Sequence, residues 1–142
     1  MKKIFGLLIV SSSLLLGSFA PMQKSAIAED TSSCNNATIK GSYGTKFTGT
    51  YETGALAVVG LVQLDGKGNF QGIDTLTSDG SVTPNRIVSG TYSVRQDCTV
   101  QIVFTANGTA FLSGAIVDGG KEIFLTQTNP RSVITGTWKK VN

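Results

Sequence analysis

The chain has no histidine, and that absence excludes more than most of the residues present. Without imidazole, a Ser-His-Asp or Cys-His relay has no base. The usual catalytic zinc sites lose their main ligand as well. Proline occurs three times, cysteine twice and tryptophan once in 142 residues. Long apolar runs are absent after residue 28, so the rest of the chain offers no membrane-spanning helix. Helical periodicity is missing too: no long stretch places apolar residues at i, i+3, i+4 and i+7. No glycine-rich loop precedes a helix, so a phosphate cradle has no support. No cofactor is expected.

Charge is also scarce in the working part of the chain. The formal balance is +3, from 12 basic and 9 acidic residues. The excess is Lys2, Lys3 and Lys24, all within the first 28 residues. That segment has a basic start, an apolar stretch from Ile4 to Ala20 and the ending Ala26-Ile27-Ala28. This is the order of a secretory signal peptide, with cleavage expected after Ala28. A retained anchor is the alternative, but Ser11-Ser12-Ser13 dilutes a stretch barely long enough to span. Removing residues 1–28 leaves 114 residues with 9 basic and 9 acidic side chains. A neutral domain has no broad basic field for nucleic acid. The expected location is the periplasm or the extracellular space.

Export makes the two cysteines legible. An oxidising compartment favours a Cys34–Cys98 disulfide, which would tie a polar lead, residues 29–38, to the body of the domain at 39–142. Free buried thiols and an intermolecular bridge are the alternatives.

What the sequence does contain is Thr, Val, Ile, Ser and Gly in short runs between turn signals. The turns are Asp65-Gly66-Lys67-Gly68, Asp79-Gly80, Gln96-Asp97, Asn107-Gly108, Asp118-Gly119-Gly120 and Asn129-Pro130. Strands are expected at about 39–50, 54–64, 69–77, 85–95, 98–106, 109–117, 121–128 and 132–140. Val100, Ile102 and Phe104 alternate with polar neighbours, as do Val88, Tyr92 and Val94. The fold class is therefore all-β: an antiparallel meander of about eight strands. A closed barrel is favoured over a sandwich, because successive hairpins leave edges that closure removes. The run Ala55 to Leu64 is apolar on both parities. Its outer face is expected to be covered, by the lead or by a second copy in a homo-oligomer.

Gly41-Ser42-Tyr43, Gly49-Thr50-Tyr51, Gly90-Thr91-Tyr92 and Gly136-Thr137-Trp138 repeat a Gly–hydroxyl–aromatic pattern. A glycine bend covered by the aromatic two places on explains it structurally. These elements resemble the calycin superfamily of lipocalin- and avidin-type barrels, and Thr48-Gly49-Thr50-Tyr51-Glu52-Thr53 is similar to an avidin-type strand. Leu64 to Phe70, Ser89 to Val94 and Asp97-Cys98-Thr99 resemble a pattern in uncharacterised exported bacterial proteins. The resemblance implies a barrel with room for a cavity. It does not imply biotin binding, since avidin-type sites are walled by several tryptophans and this chain has only Trp138. The lipocalin Gly-x-Trp start is replaced by Gly41-Ser42-Tyr43.

Most carboxylates sit in turns, where aspartate binds its own backbone. Asp65-x-Lys67-x-Asn69 reads as such a turn rather than a calcium loop. Asp74 differs: it shares the parity of Phe70 and Leu76 inside an expected strand. Facing inward, it would be a buried carboxylate needing a partner, with Arg86 and Arg95 as the choices. The leading functional expectation is a non-catalytic barrel that binds a small apolar ligand, with Tyr43, Tyr92, Phe104, Phe111 and Trp138 as lining residues. The same aromatics would equally fill a core. The alternatives are a self-associating structural protein of the cell envelope and, remotely, a cyclase-type enzyme that needs only a shaped pocket.

Overall fold

A computed structural model describes residues 33–52 and 54–142. The signal-peptide expectation and the start of the lead lie outside the described residues. Eight strands follow one another: β1 (Gly41–Tyr51), β2 (Gly54–Leu64), β3 (Asn69–Ser78), β4 (Ser81–Val94), β5 (Thr99–Phe104), β6 (Ala110–Val117), β7 (Glu122–Gln127) and β8 (Ser132–Lys140). Each pairs antiparallel with the next, and β8 pairs with β1 from Tyr51↔Ser132 to Tyr43↔Lys140. The result is a closed barrel in meander order, as the hairpin spacing implies.

Closure divides every strand into an inner and an outer face. On β1 the inner set is Tyr43, Thr45 and Phe47; on β5 it is Val100, Ile102 and Phe104. The core joins these to Val62, Leu64, Phe70, Val88, Tyr92, Leu112, Ile116, Ile123, Leu125, Ile134 and Trp138.

Two glycines show how such a tight curve is made. A Cβ on Gly90 would sit 1.9 Å from the Val103 carbonyl oxygen, and one on Gly136 would sit 2.2 Å from that of Lys46. Adjacent strands coil together there more closely than any side chain allows. The rings over these glycines come from the facing strand: Phe70 opposite Gly90 and Phe47 opposite Gly136. Tyr92 and Trp138, two residues on, do return to the inner face and are buried. At Gly90 and Gly136 the cover is thus a cross-strand partner rather than the following aromatic, while Gly41 and Gly49 have no ring over them and Tyr51 is exposed.

β4 starts earlier than its sequence suggests. Pro84 and Asn85 mark an expected boundary, yet the strand begins at Ser81. The pairing slips between Asp74↔Arg86 and Leu76↔Thr83, so Pro84 and Asn85 face a single residue, Thr75. Asn85 adopts φ 53°, and the proline, which has no N–H to give, is tolerated at this bulge.

One end of the barrel is stoppered. Turns 65–68, 95–98 and 118–121 lie at this end, and the lead folds over it. Asn35 caps a 3₁₀ turn, Asn36–Ile39, by accepting from Ala37 N at 2.9 Å. Ile39 is fully buried in the core. Asn36 accepts from Val94 N through its side chain and from the Tyr92 hydroxyl through its carbonyl. Cys34 is bonded to Cys98, 64 residues on, with Cα atoms 5.0 Å apart. Closing a loop of that length stabilises the fold by about 4 kcal/mol in the chain-entropy account. Tyr43 rises into the stopper and donates its hydroxyl to the Gly120 carbonyl.

Burial pushes the Tyr43 phenol up to about 12, and the neighbouring Tyr92 adds to the shift. A free tyrosine ionises near pH 10. Between about pH 10 and 12 the unfolded chain therefore releases a proton that the folded chain keeps, and stability falls as pH rises. Chemical-denaturation midpoints should fall across that window. In Tyr43→Phe the fall should be shallower, from a start about 1 kcal/mol less stable because the Gly120 carbonyl loses its donor. An unchanged alkaline slope in that variant would contradict the assignment.

Candidate functional site

The opposite end is open. It carries the adjoining ends of β1 and β2 and the connections 79–80, 105–109 and 128–131, and a cavity of about 350 Å³ enters the barrel between them. Its walls are largely apolar: Phe47, Leu56, Val58, Val62, Leu76, Val88, Phe104, Leu112 and Ile134. The rim adds Tyr51, Ser78, Gln127 and Asn129. Asn129 holds the 105–109 connection in place, accepting from Phe111 N at 2.7 Å and donating to the Thr109 carbonyl at 3.2 Å. Asn107 donates to the Ile87 carbonyl from the same loop. The mouth is therefore shaped by side-chain-to-backbone bonds, with no regular element across it among the described residues.

Why the cavity forms at this end follows from side-chain size. Tyr43, Phe70, Tyr92 and Trp138 crowd the stoppered half. Phe70, Phe104 and Trp138 meet edge to face, with centroids 4.9, 5.5 and 6.3 Å apart. These rings fill the lower lumen. Toward the mouth the inward positions are mostly Val, Leu, Ile and Ala, which do not reach the barrel axis.

The five aromatic candidates therefore separate. Phe104 lines the cavity. Tyr43, Tyr92 and Trp138 are buried in the stoppered half and do not belong to the cavity wall. Phe111 requires a correction. Leu112 takes the inner parity of β6, so Phe111 points to solvent and is 48% exposed. It cannot touch anything held in the lumen.

Asp74 faces inward and is only 7% exposed. Its partner is Arg86, directly opposite on β4, with Nε to Oδ1 at 2.8 Å and Nη2 to Oδ2 at 2.9 Å. Both residues line the cavity. The bulge at Pro84–Asn85 immediately precedes Arg86 and is the local irregularity that brings β4 into this pairing. The bidentate geometry is the strong form of an ion pair, and removing Arg86 would leave the buried Asp74 carboxylate without its partner, at a cost of about 3–5 kcal/mol.

Asp65, by contrast, is spent on its own turn. It accepts from the backbone of Lys67, Gly68 and Asn69 and from the Asn69 side chain. These donors hold its carboxyl well below the usual range. Asp97 is lowered in the same way, by the Thr99 hydroxyl and backbone.

Most of the lining residues have no counterpart in the sequence reading, and Thr45 is the buried polar one among them. Thr45 is 6% exposed, lies between Tyr43 and Phe47 on the inner face of β1, and lines the cavity. Its parity was the available signal. The Trp138 indole Nε1 is buried without an acceptor among the described residues.

Outside the barrel, Leu61, Ile73 and Ile87 stand opposite one another on β2, β3 and β4. With Val59 they form an exposed apolar row, Ile87 being 72% exposed. Residues 33–38 of the lead lie over the stoppered end, and among the described residues none covers the outer face of the run 55–64.

The chain matches no protein-family model, no curated protein and no solved structure.

Proposed function

We propose that this protein is an exported binding module of calycin-like design, which takes a small, mainly apolar molecule into the open half of its barrel. The observation that carries the reading is the cavity itself. It is open at one end, stoppered at the other, apolar in its walls and supplied with few polar groups, which is the usual make-up of a small-molecule site. The Cys34–Cys98 bond fits export to an oxidising compartment such as the periplasm or the extracellular space. Chemistry is not part of the proposal. The only carboxylate lining the cavity among the described residues, Asp74, is tied to Arg86 in a bidentate pair, which leaves it ill placed as a general base.

A neutral fluorescent probe, N-phenyl-1-naphthylamine, tests this. It should brighten on binding with a saturable one-site curve. Leu76→Trp, which places bulk in the cavity, should weaken binding by about tenfold or more while circular dichroism keeps its β-sheet form. Absence of saturable binding, or equal binding by Leu76→Trp, would contradict the proposal.

A second reading concerns the outer wall. The row of Val59, Leu61, Ile73 and Ile87 is an apolar surface in strand register, the kind that marks an interaction face. It supports self-association through β2–β4. Light scattering at rising concentration should then show a dimer that Ile87→Lys disperses. A monomer throughout would remove this reading.

A further inference from the structure

Four inner positions form one row across neighbouring strands. Thr45 pairs with Gly60, Gly60 with Asp74, and Asp74 with Arg86. On the stoppered side, the adjacent inner row is Tyr43, Val62, Gly72 and Val88. On the mouth side it is Phe47, Val58 and Leu76. A polar belt along the β1–β4 wall therefore interrupts an apolar lumen at mid-depth, the same row continuing on β8 and β7 with Trp138 and Ile123. A barrel that only needed a packed interior would gain by apolar residues at these positions, because desolvating an ion pair is costly.

The belt keeps unused hydrogen-bonding capacity. Asp74 takes the Nε–Nη2 edge of Arg86. A guanidinium has five N–H donors. The Nη1–Nη2 edge, with the other three donors, has no partner among the described residues. The Thr45 hydroxyl likewise makes no hydrogen bond among them, although the residue is more than nine-tenths buried and lines the same cavity. Between Thr45 and Asp74 the row holds only Gly60. A Cβ there would lie 2.6 Å from Asp74 Cβ, so no side chain can fill the interval.

We infer that this belt is a subsite for an uncharged carbonyl group carried by the apolar ligand. The inference rests on the binding reading above and specifies its ligand. Charge selects the neutral group. Asp74 already balances Arg86, and a carboxylate in the belt would stand beside the buried Asp74 carboxylate. A carbonyl oxygen accepts from the outer guanidinium edge and from Thr45 without adding charge. A primary amide also offers two N–H donors to the Asp74 carboxylate. Asp74 is here a positioning residue, since it fixes the plane of the Arg86 guanidinium.

Displacement of bound N-phenyl-1-naphthylamine from the disulfide-bonded protein by octanamide, octanoate and octane tests the inference. Octanamide should bind about tenfold more tightly than either of the others, the scale of a hydrogen bond to a charged group. Two variants check the cause. Asp74→Leu combined with Arg86→Met removes both charges together and leaves no lone buried ion. Thr45→Val removes only the hydroxyl. Both should shrink the octanamide advantage over octane, the double variant more. Octanoate as the tightest ligand would overturn the inference, and so would an octanamide advantage that survives intact in both variants. Those results leave the apolar cavity standing. Failure of the naphthylamine probe itself to bind would remove the cavity reading and this inference with it.

Discussion

The pairing of β1 with β8 is the constraint from which the rest follows. Until those strands meet, neither face of the twisted sheet is enclosed. Once Tyr43 to Tyr51 lie against Ser132 to Lys140, one parity is enclosed. The enclosed parity carries the core, the cavity and the Asp74–Arg86 pair. Closure also removes the free edges that an eight-strand meander would otherwise expose. The cost is curvature, which Gly90 and Gly136 absorb by letting neighbouring backbones approach where a Cβ would collide.

A closed barrel has two ends, and this chain treats them differently. At one, the lead is fixed by the disulfide, by the Asn36 bonds and by Ile39, while large aromatics fill the lumen beneath it. At the other, aliphatic side chains stop short of the axis and loops leave an opening. The asymmetry makes a cup rather than a tube. It also assigns separate tasks to residues of the same type: Tyr43 and Tyr92 hold the base, Phe104 borders the cavity, and Phe111 faces solvent.

Much of this was legible in the sequence, for physical reasons. Strand positions followed from two-residue alternation and from Asp-Gly and Asn-Gly turns, which permit few alternatives. Export chemistry pointed to the Cys34–Cys98 bond, and parity placed Asp74 inside. The choice of Arg86 over Arg95 was open in the sequence, although Arg86 shares the inward parity of Val88, because a β-bulge beside it disturbs the count. The same bulge made Pro84 look like the edge of β4. Phe111 was misplaced because β6 is apolar on both parities; Ala110, Leu112 and Ile116 compete with Phe111, Ala115 and Val117, and only the pairing with β5 and β7 decides. Thr45 went unnoticed because a threonine in a strand looks solvent-facing until closure gives it an inside. Which end stays open depends on where the lead folds, a tertiary fact with only the cysteine pairing as its trace.

The central claim is that the open half of the barrel accommodates a small molecule. Native mass spectrometry of the intact, disulfide-bonded protein, purified without detergent, tests this most directly. The account predicts a monomer or dimer carrying one extra small-molecule mass per barrel, released on unfolding and lost when Leu76→Trp fills the cavity. Only the bare chain mass, with no adduct gained on exposure to octanamide, would contradict it.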